Sequence, residues 1–214
     1  MSEEARHAEL REKTQHLLNG ALKHVRAAAL AAALVPLGAV AVSPAVALAQ
    51  GSGGPPPPSF VPVPCDFVTS GGFVFTPSNA MANFGAHGGC KKGAFWGHVN
   101  YVDHGIGYHV DSTEITGYLT PALLSNIRDI CGEARTNASE LQPVRFRVRL
   151  IDNGDPTKDE FGIRLSNGYL VPTSPLGGGG PGGGTVELHE PNPSTTGPTV
   201  PPDEFTMCGV LAAP

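Results

Sequence analysis

Val144-Arg145-Phe146-Arg147-Val148-Arg149-Leu150, followed by Asp152-Asn153-Gly154-Asp155-Pro156 and then Phe161-Gly162-Ile163-Arg164-Leu165, is the stretch whose reading decides the fold class. In the first run apolar residues alternate with three arginines. In the second, Phe161, Ile163 and Leu165 alternate with Gly162 and Arg164. A period of two places alternate side chains on opposite faces of a strand. The Asn-Gly and Asp-Pro pairs between the runs are turn formers. The stretch therefore predicts a β-hairpin with Val144, Phe146, Val148 and Leu150 on a core face and the arginines on a wet one. On that reading Phe146→Ala costs about 3–5 kcal/mol and Arg147→Ala much less.

Further β-like runs occur at Asp66–Ser70, Phe73–Phe75, Ala82–Phe84, His98–Val102, His109–Tyr118, Ile127–Ala134 and Val186–His189, with turn residues between them. No long amphipathic helical stripe is present. A short helical turn is expected at Pro121–Asn126, since Thr120-Pro121 suits a helix start. The spacing predicts an all-β fold, an antiparallel two-sheet β-sandwich of jelly-roll type. The segment Gly177–Gly184, broken only by Pro181, reads as a hairpin loop between two strands. It lacks the Lys-Ser/Thr of a phosphate-binding loop.

Residues Ala27 to Ala49 carry no charge, follow Lys23 and Arg26, and close on Ala47-Leu48-Ala49. This predicts a secretory signal peptide over residues 1–49, a signal helix outside the fold. An uncleaved anchor is the alternative, weakened by Pro36, Gly38 and Pro44. After cleavage no stable membrane span is expected, and the protein would be extracellular or associated with the cell surface. Residues 50–64, with Pro55 to Pro58 consecutive, form a Gly/Pro-rich linker. The domain spans 65–189, and a Pro-rich tail occupies 190–214, with Phe205-Thr206-Met207-Cys208 placed to dock back. Five of the 14 basic and four of the 19 acidic residues precede residue 27, leaving 9 against 15. A mildly acidic domain is poorly suited to neutralising phosphates, so nucleic acid is not an expected partner.

All four cysteines, Cys65, Cys90, Cys131 and Cys208, follow the signal. An even count in an exported chain predicts two disulfides. Three connectivities are possible. Pairing Cys65 with Cys208 closes the domain's ends and leaves Cys90 with Cys131. No C-x-x-C spacing favours a metal instead.

Several ordered motifs carry a family resemblance: Ala82-Asn83-Phe84-Gly85, Lys91-Lys92-Gly93, Gly97-His98-Val99-Asn100-Tyr101-Val102-Asp103-His104, Asp111-Ser112-Thr113-Glu114-Ile115-Thr116, the Asp152–Pro156 turn, Phe161–Tyr169 and Val186-Glu187-Leu188-His189. Together they resemble the post-COAP-1 domain family of bacterial secreted and cell-surface proteins. The resemblance spans nearly the whole domain. It implies an extracellular all-β module and supplies no catalytic activity. The chain departs from the pattern at Thr157-Lys158, Phe73 and Cys90, so no disulfide pairing is carried over.

The residues themselves offer four candidate chemistries. Asp152, Asn153, Asp155, Asp159 and Glu160 fall within nine positions and supply oxygens of the kind calcium takes. The spacing is not that of an EF-hand, and a solvated hairpin tip reads equally. His98, His104, His109 and His189 are candidate zinc ligands, but His98 and His104 lie roughly 20 Å apart along an extended strand; the Gly105-Ile106-Gly107 turn between His104 and His109 is able to bring those two together with Asp103 or Asp111, while structural or surface histidines read better. Asp103, Asp111, Glu114, Asp129, Glu133 and Glu187 are available as acid–base pairs, without any hydrolase signature beside them. Finally, Arg145, Arg147 and Arg149 read either as a contact for an anionic glycan or as cross-strand partners of Asp129 or Glu133. Trp96, Tyr101, Tyr108 and Tyr118 read either as a sugar-stacking platform or as core. The expected function is a non-catalytic secreted or cell-surface module that binds a glycan or protein, adheres, or plays a structural part. A calcium-dependent or carbohydrate-binding module is the alternative, and a secreted hydrolase is a third class.

Overall fold

The computed structural model describes residues 58–121, 125–138 and 143–214. The segment expected to be a signal peptide, most of the expected linker and the centre of the expected Pro121–Asn126 turn lie outside the described residues. Ten antiparallel strands follow in order: β1 (Ser59–Phe60), β2 (Phe67–Phe75), β3 (Met81–Lys91), β4 (Ala94–Asp103), β5 (Tyr108–Pro121), β6 (Ile127–Thr136), β7 (Val144–Ile151), β8 (Glu160–Leu165), β9 (Leu170–Pro175) and β10 (Gly184–His189). One short helix, α1 (Glu204–Cys208), lies near the C-terminus.

The all-β class and the Val144–Leu165 hairpin hold, with Val148 opposite Ile163 and Leu150 opposite Phe161. The division into two sheets does not describe the hydrogen bonding. One continuous path runs β10-β2-β3-β4-β5-β6-β7-β8-β9, with β1 added beside the end of β5. The reason is local. Each strand from β2 to β9 pairs with its sequence neighbour, so there is no crossover to start a second sheet. The path curls instead. β5 pairs with β4 only from Tyr108 to Asp111 and runs on alongside β6, with register shifts after Ser112 and Ile115. Bulges of this kind bend a strand. Curling brings β3 onto β8: the Phe84 and Phe161 rings stack with centroids 3.9 Å apart, and Tyr101 lies parallel to Phe161 at 6.0 Å.

Two of the expected runs are one strand. Asp66–Ser70 and Phe73–Phe75 merge in β2 through Gly71-Gly72, and at Gly72 a side chain would not fit, because a Cβ would collide with the Gly183 carbonyl oxygen. That contact also corrects the expected hairpin at Gly177–Gly184. β9 pairs with β8 and β10 with β2, so the glycine segment links the two ends of the path rather than two paired strands. β9 is absent from the sequence expectation because Pro172 breaks its run. The proline is tolerated because β9 is a terminal strand of the path.

The disulfides are Cys65–Cys90 and Cys131–Cys208, which corrects the pairing of Cys65 with Cys208 and Cys90 with Cys131. Register explains the first. Phe67 on β2 faces Gly89 on β3, so the residues just outside that pair are adjacent, and the Cys90 N–H donates to the Asp66 carbonyl. The tail explains the second. Asp203 caps α1 by accepting the Thr206 N–H at 2.7 Å, and α1 buries Met207 and Cys208 against β5 and β6.

Candidate functional site

The acidic loop between β7 and β8 was the sequence's metal candidate, and the structure uses its oxygens on backbone donors. Val186 and Leu188 lie on β10, whose other neighbour is β2. The Asp159 carboxylate, 1% exposed, accepts the Val186 N–H at 2.8 Å and the Asn153 N–H at 3.0 Å. Asp152 accepts the Leu188 N–H at 2.9 Å and the Gly154 N–H at 2.8 Å. Asp155 accepts both the hydroxyl and the N–H of Thr157, which hold its carboxyl below the usual carboxylate range. Asn153 donates to the Lys158 carbonyl. An unpaired strand edge exposes a row of backbone groups. Here two carboxylates from another hairpin cover it, and the curled sheet is closed by side chains at that point. Among the described residues no three His, Cys, Asp or Glu side chains are grouped to hold a metal ion.

The arginine stripe is not a wet face. Arg147 is 4% exposed and Asp129 fully buried. Arg147 donates to Asp129 through Nε and Nη2 at 3.0 and 2.6 Å, to Glu204 of α1 at 2.6 Å and to the Leu211 carbonyl at 2.9 Å. Arg149 donates to both Asp129 oxygens at 2.8 and 2.9 Å. Arg145 reaches the carbonyls of Thr206 and Met207. Burial pulls the Arg147 guanidinium down, but Asp129 and then Glu204 outweigh it, and its pKa rises. The cross-strand reading holds for Asp129. The expected docking of Phe205–Cys208 occurs, and what sequence did not locate is its target: the tail lies over this arginine face, pinned by the Cys131–Cys208 disulfide. A second buried pair joins Arg128 to Asp66, whose carboxylate also accepts the Tyr118 hydroxyl at 2.7 Å.

The tyrosines belong to the core. Tyr101 and Tyr118 have no exposure and Tyr108 is 8% exposed. The Tyr101 and Tyr169 hydroxyls lie 2.7 Å apart, and Tyr169 donates to the buried Asp103 at 2.8 Å. Burial pushes the Tyr101 hydroxyl up to about 12. Asp103 also accepts the Gly105 N–H, and among the described residues the turn between His104 and His109 brings together no set of three ligands. His104 bonds to Asn83, and His109 is exposed. Glu114 faces Glu133 across β5 and β6. Two open hollows of about 460 and 300 Å³ flank the Pro62–Pro64 segment; among the described residues Asp66 is the one carboxylate lining the first, and none lines the second. Neither presents the carboxyl pair that glycoside hydrolysis requires.

Chemistry that is not tied up in these contacts gathers on the outward face of β10, β2, β3 and β4. The Lys92-Gly93 turn, with both residues at positive φ (50° and 85°), is the primed geometry of a two-residue hairpin and fixes the β3–β4 register. That register aligns His189, Phe67, Gly89 and Trp96 in one row, and Glu187, Thr69, His87 and His98 in the next. Phe67 stacks on His189 with centroids 4.3 Å apart and meets Trp96 at 6.2 Å. His87 lies 5.6 Å from Trp96 and 6.3 Å from His98. Lys91 reaches over the Trp96 ring at 5.7 Å, within cation–π range. A third row, floored by Gly71 and Gly85, is flat; a Cβ on Gly85 would meet nothing within 4 Å. Of the sequence candidates, Trp96, His98 and His189 come together here, joined by Phe67 and His87. No family model matches this chain, and comparison with curated proteins and with solved structures finds no match.

Proposed function

We propose that the chain is a secreted or cell-surface β module of the kind the post-COAP-1 resemblance implies, with a non-catalytic role in binding, adhesion or support. One observation carries this reading. The only tryptophan, Trp96, sits half-buried on an outward sheet face with Phe67, His87, His98 and His189, over strands made flat by glycine. The two disulfides suit an oxidising compartment. Among the described residues no helix is long and apolar enough to cross a membrane.

A carbohydrate-binding form is favoured over a calcium-dependent one. Aromatic rings beside imidazole and amide groups match the alternating apolar faces and hydroxyls of a sugar chain, whereas the Asp152–Asp159 oxygens already accept N–H groups. The test uses the full chain with soluble β-1,4-linked N-acetylglucosamine oligomers, followed by Trp96 emission, and with insoluble cell-wall polysaccharide, followed by co-sedimentation. Saturable emission change that Trp96→Ala abolishes supports the carbohydrate form. Absence of both signals leaves the structural role. Turnover of these substrates, measured as new reducing ends, overturns the non-catalytic reading.

A further inference from the structure

One cation lies outside the contacts described above. Arg164 on β8 is directly opposite Arg147 on β7, so the two side chains project from the same face of the sheet. Like charges facing each other weaken a strand pair. Arg147 is neutralised by Asp129 and Glu204. Arg164 has no acceptor and no anionic partner among the described residues. Its Nε is shut away from solvent without a hydrogen bond, while its Nη atoms stay accessible. A buried donor left unsatisfied carries a desolvation cost. The neighbouring arginine repeats the pattern. Arg145 faces Ser166, two residues beyond Arg164, which makes it the diagonal neighbour of Arg164. Diagonal positions are about 7–8 Å apart, within reach of long side chains. Arg145 is held in place: Nη2 donates to the Thr206 and Met207 carbonyls at 3.3 and 3.2 Å, and Gly209 lies against the guanidinium. Its Nε is also buried without an acceptor. Glu133 faces it across β6 and makes no ion pair with it.

We propose that Arg145 and Arg164 form a site for a dianionic oxyanion, a sulfate or phosphate group. Two guanidinium groups without a carboxylate partner carry the charge that one dianion balances. Arginine donates to such oxygens in pairs of parallel hydrogen bonds, and a tetrahedral anion has oxygens to offer to two guanidinium planes at once. The tail supplies the rigidity: the carbonyls of Thr206 and Met207 fix Arg145 before any anion arrives, and a fixed donor loses less freedom on binding. Arg147 and Arg149 take no part, because Asp129 already occupies them. The site stands on the β7–β8 register and the unused donors. It is separate from the Trp96 face and does not rest on a carbohydrate ligand there.

The test follows the arginine Nε–H signals of the full chain by NMR during titration with sodium sulfate, at neutral pH and at an ionic strength held constant with chloride. The expected result is a saturable shift of the Arg145 and Arg164 signals while Arg147, bonded to Asp129, stays still. Arg164→Gln is expected to weaken the effect at Arg145 by ~10-fold or more, the worth of one charge-assisted hydrogen bond. Its melting midpoint without sulfate is expected to match the parent's, since Arg164 bonds to no described residue. Inorganic phosphate is expected to act as sulfate does, and acetate to bind more weakly. Dextran sulfate binding more tightly per sulfate group than the free ion identifies an ester on a polymer as the occupant; the reverse identifies the free ion. Signals that do not move, or that move equally in all the arginines, overturn the proposal. So does a shift at Arg145 that survives Arg164→Gln, and equal affinity for acetate overturns the assignment to a dianion.

Discussion

Arg147→Ala separates a β-strand with one wet face from one covered on both sides. Alternation alone puts Arg147 in water, where its loss would cost little. In the structure it is 4% exposed and its guanidinium satisfies Asp129, Glu204 and the Leu211 carbonyl. The alanine leaves the fully buried Asp129 with Arg149 as its remaining cation. Glu204 is 36% exposed and can rehydrate, so its share of the loss is small. Breaking a buried pair by removing one partner costs about 3–5 kcal/mol. Phe146→Ala on the opposite face, with no exposure, costs about the same. The two variants are therefore expected to be comparably unstable in urea unfolding at pH 7, followed by far-UV circular dichroism and compared at matched slopes. Replacing Asp129 and Arg147 together by leucine and methionine is expected to cost less than the sum of the single changes, since neither leaves the other's charge behind. A loss below about 1 kcal/mol for Arg147→Ala would refute the covered face and return that strand to the solvent.

Asp159→Ala leaves the Val186 and Asn153 N–H groups without their acceptor. Amide exchange at Val186 is expected to accelerate more than at core positions of β7, and unchanged exchange would show that the carboxylate does not seal that edge. The two disulfides close spans of 77 and 25 residues. Chain entropy puts their removal at about 4.5 kcal/mol for Cys131/Cys208→Ala and about 3.5 kcal/mol for Cys65/Cys90→Ala, and denaturation of both double variants gives the order. His87 is expected to titrate below 6.5, and His98→Gln to raise it, leaving the part due to burial. Because the folded pKa is the lower one, the unfolded chain takes the proton first. The stability tied to neutral His87 is present above 6.5 and is lost as pH falls from there through the folded value. Proton NMR of the imidazoles reads the shift, and a His87 titration unmoved by His98→Gln refutes the coupling.

The residues show why sequence reaches some of this and not the rest. Alternation in Val144–Leu150 reports that the two faces differ, and the apolar one is core. It carries no information about what lies on the other. The cover for Arg147 comes from Glu204 and Leu211, more than fifty residues further along the chain; Phe205–Cys208 reads as a segment that docks back, but nothing in the pattern around Arg147 marks this face as the place where it lands. Asp129 was still within reach, because hairpin pairing sets it beside the arginines. The acidic loop is the opposite case. Its composition fits either a cation or a set of N–H donors, and the choice depends on β10, which meets it only because the sheet curls. The candidate face was nearer to being legible. Treating Lys92-Gly93 as a two-residue turn places His87 opposite His98 and Gly89 opposite Trp96 by counting outward from the turn. The signal was a Lys-Gly pair, less recognisable than Asn-Gly, inside a run whose glycines hide the alternation. Those same glycines take no part in a hydrophobic pattern and leave the sheet flat beside the half-buried imidazole and indole rings. The features that obscure β3 as a strand in the sequence are thus the ones that make its outer face available for contact.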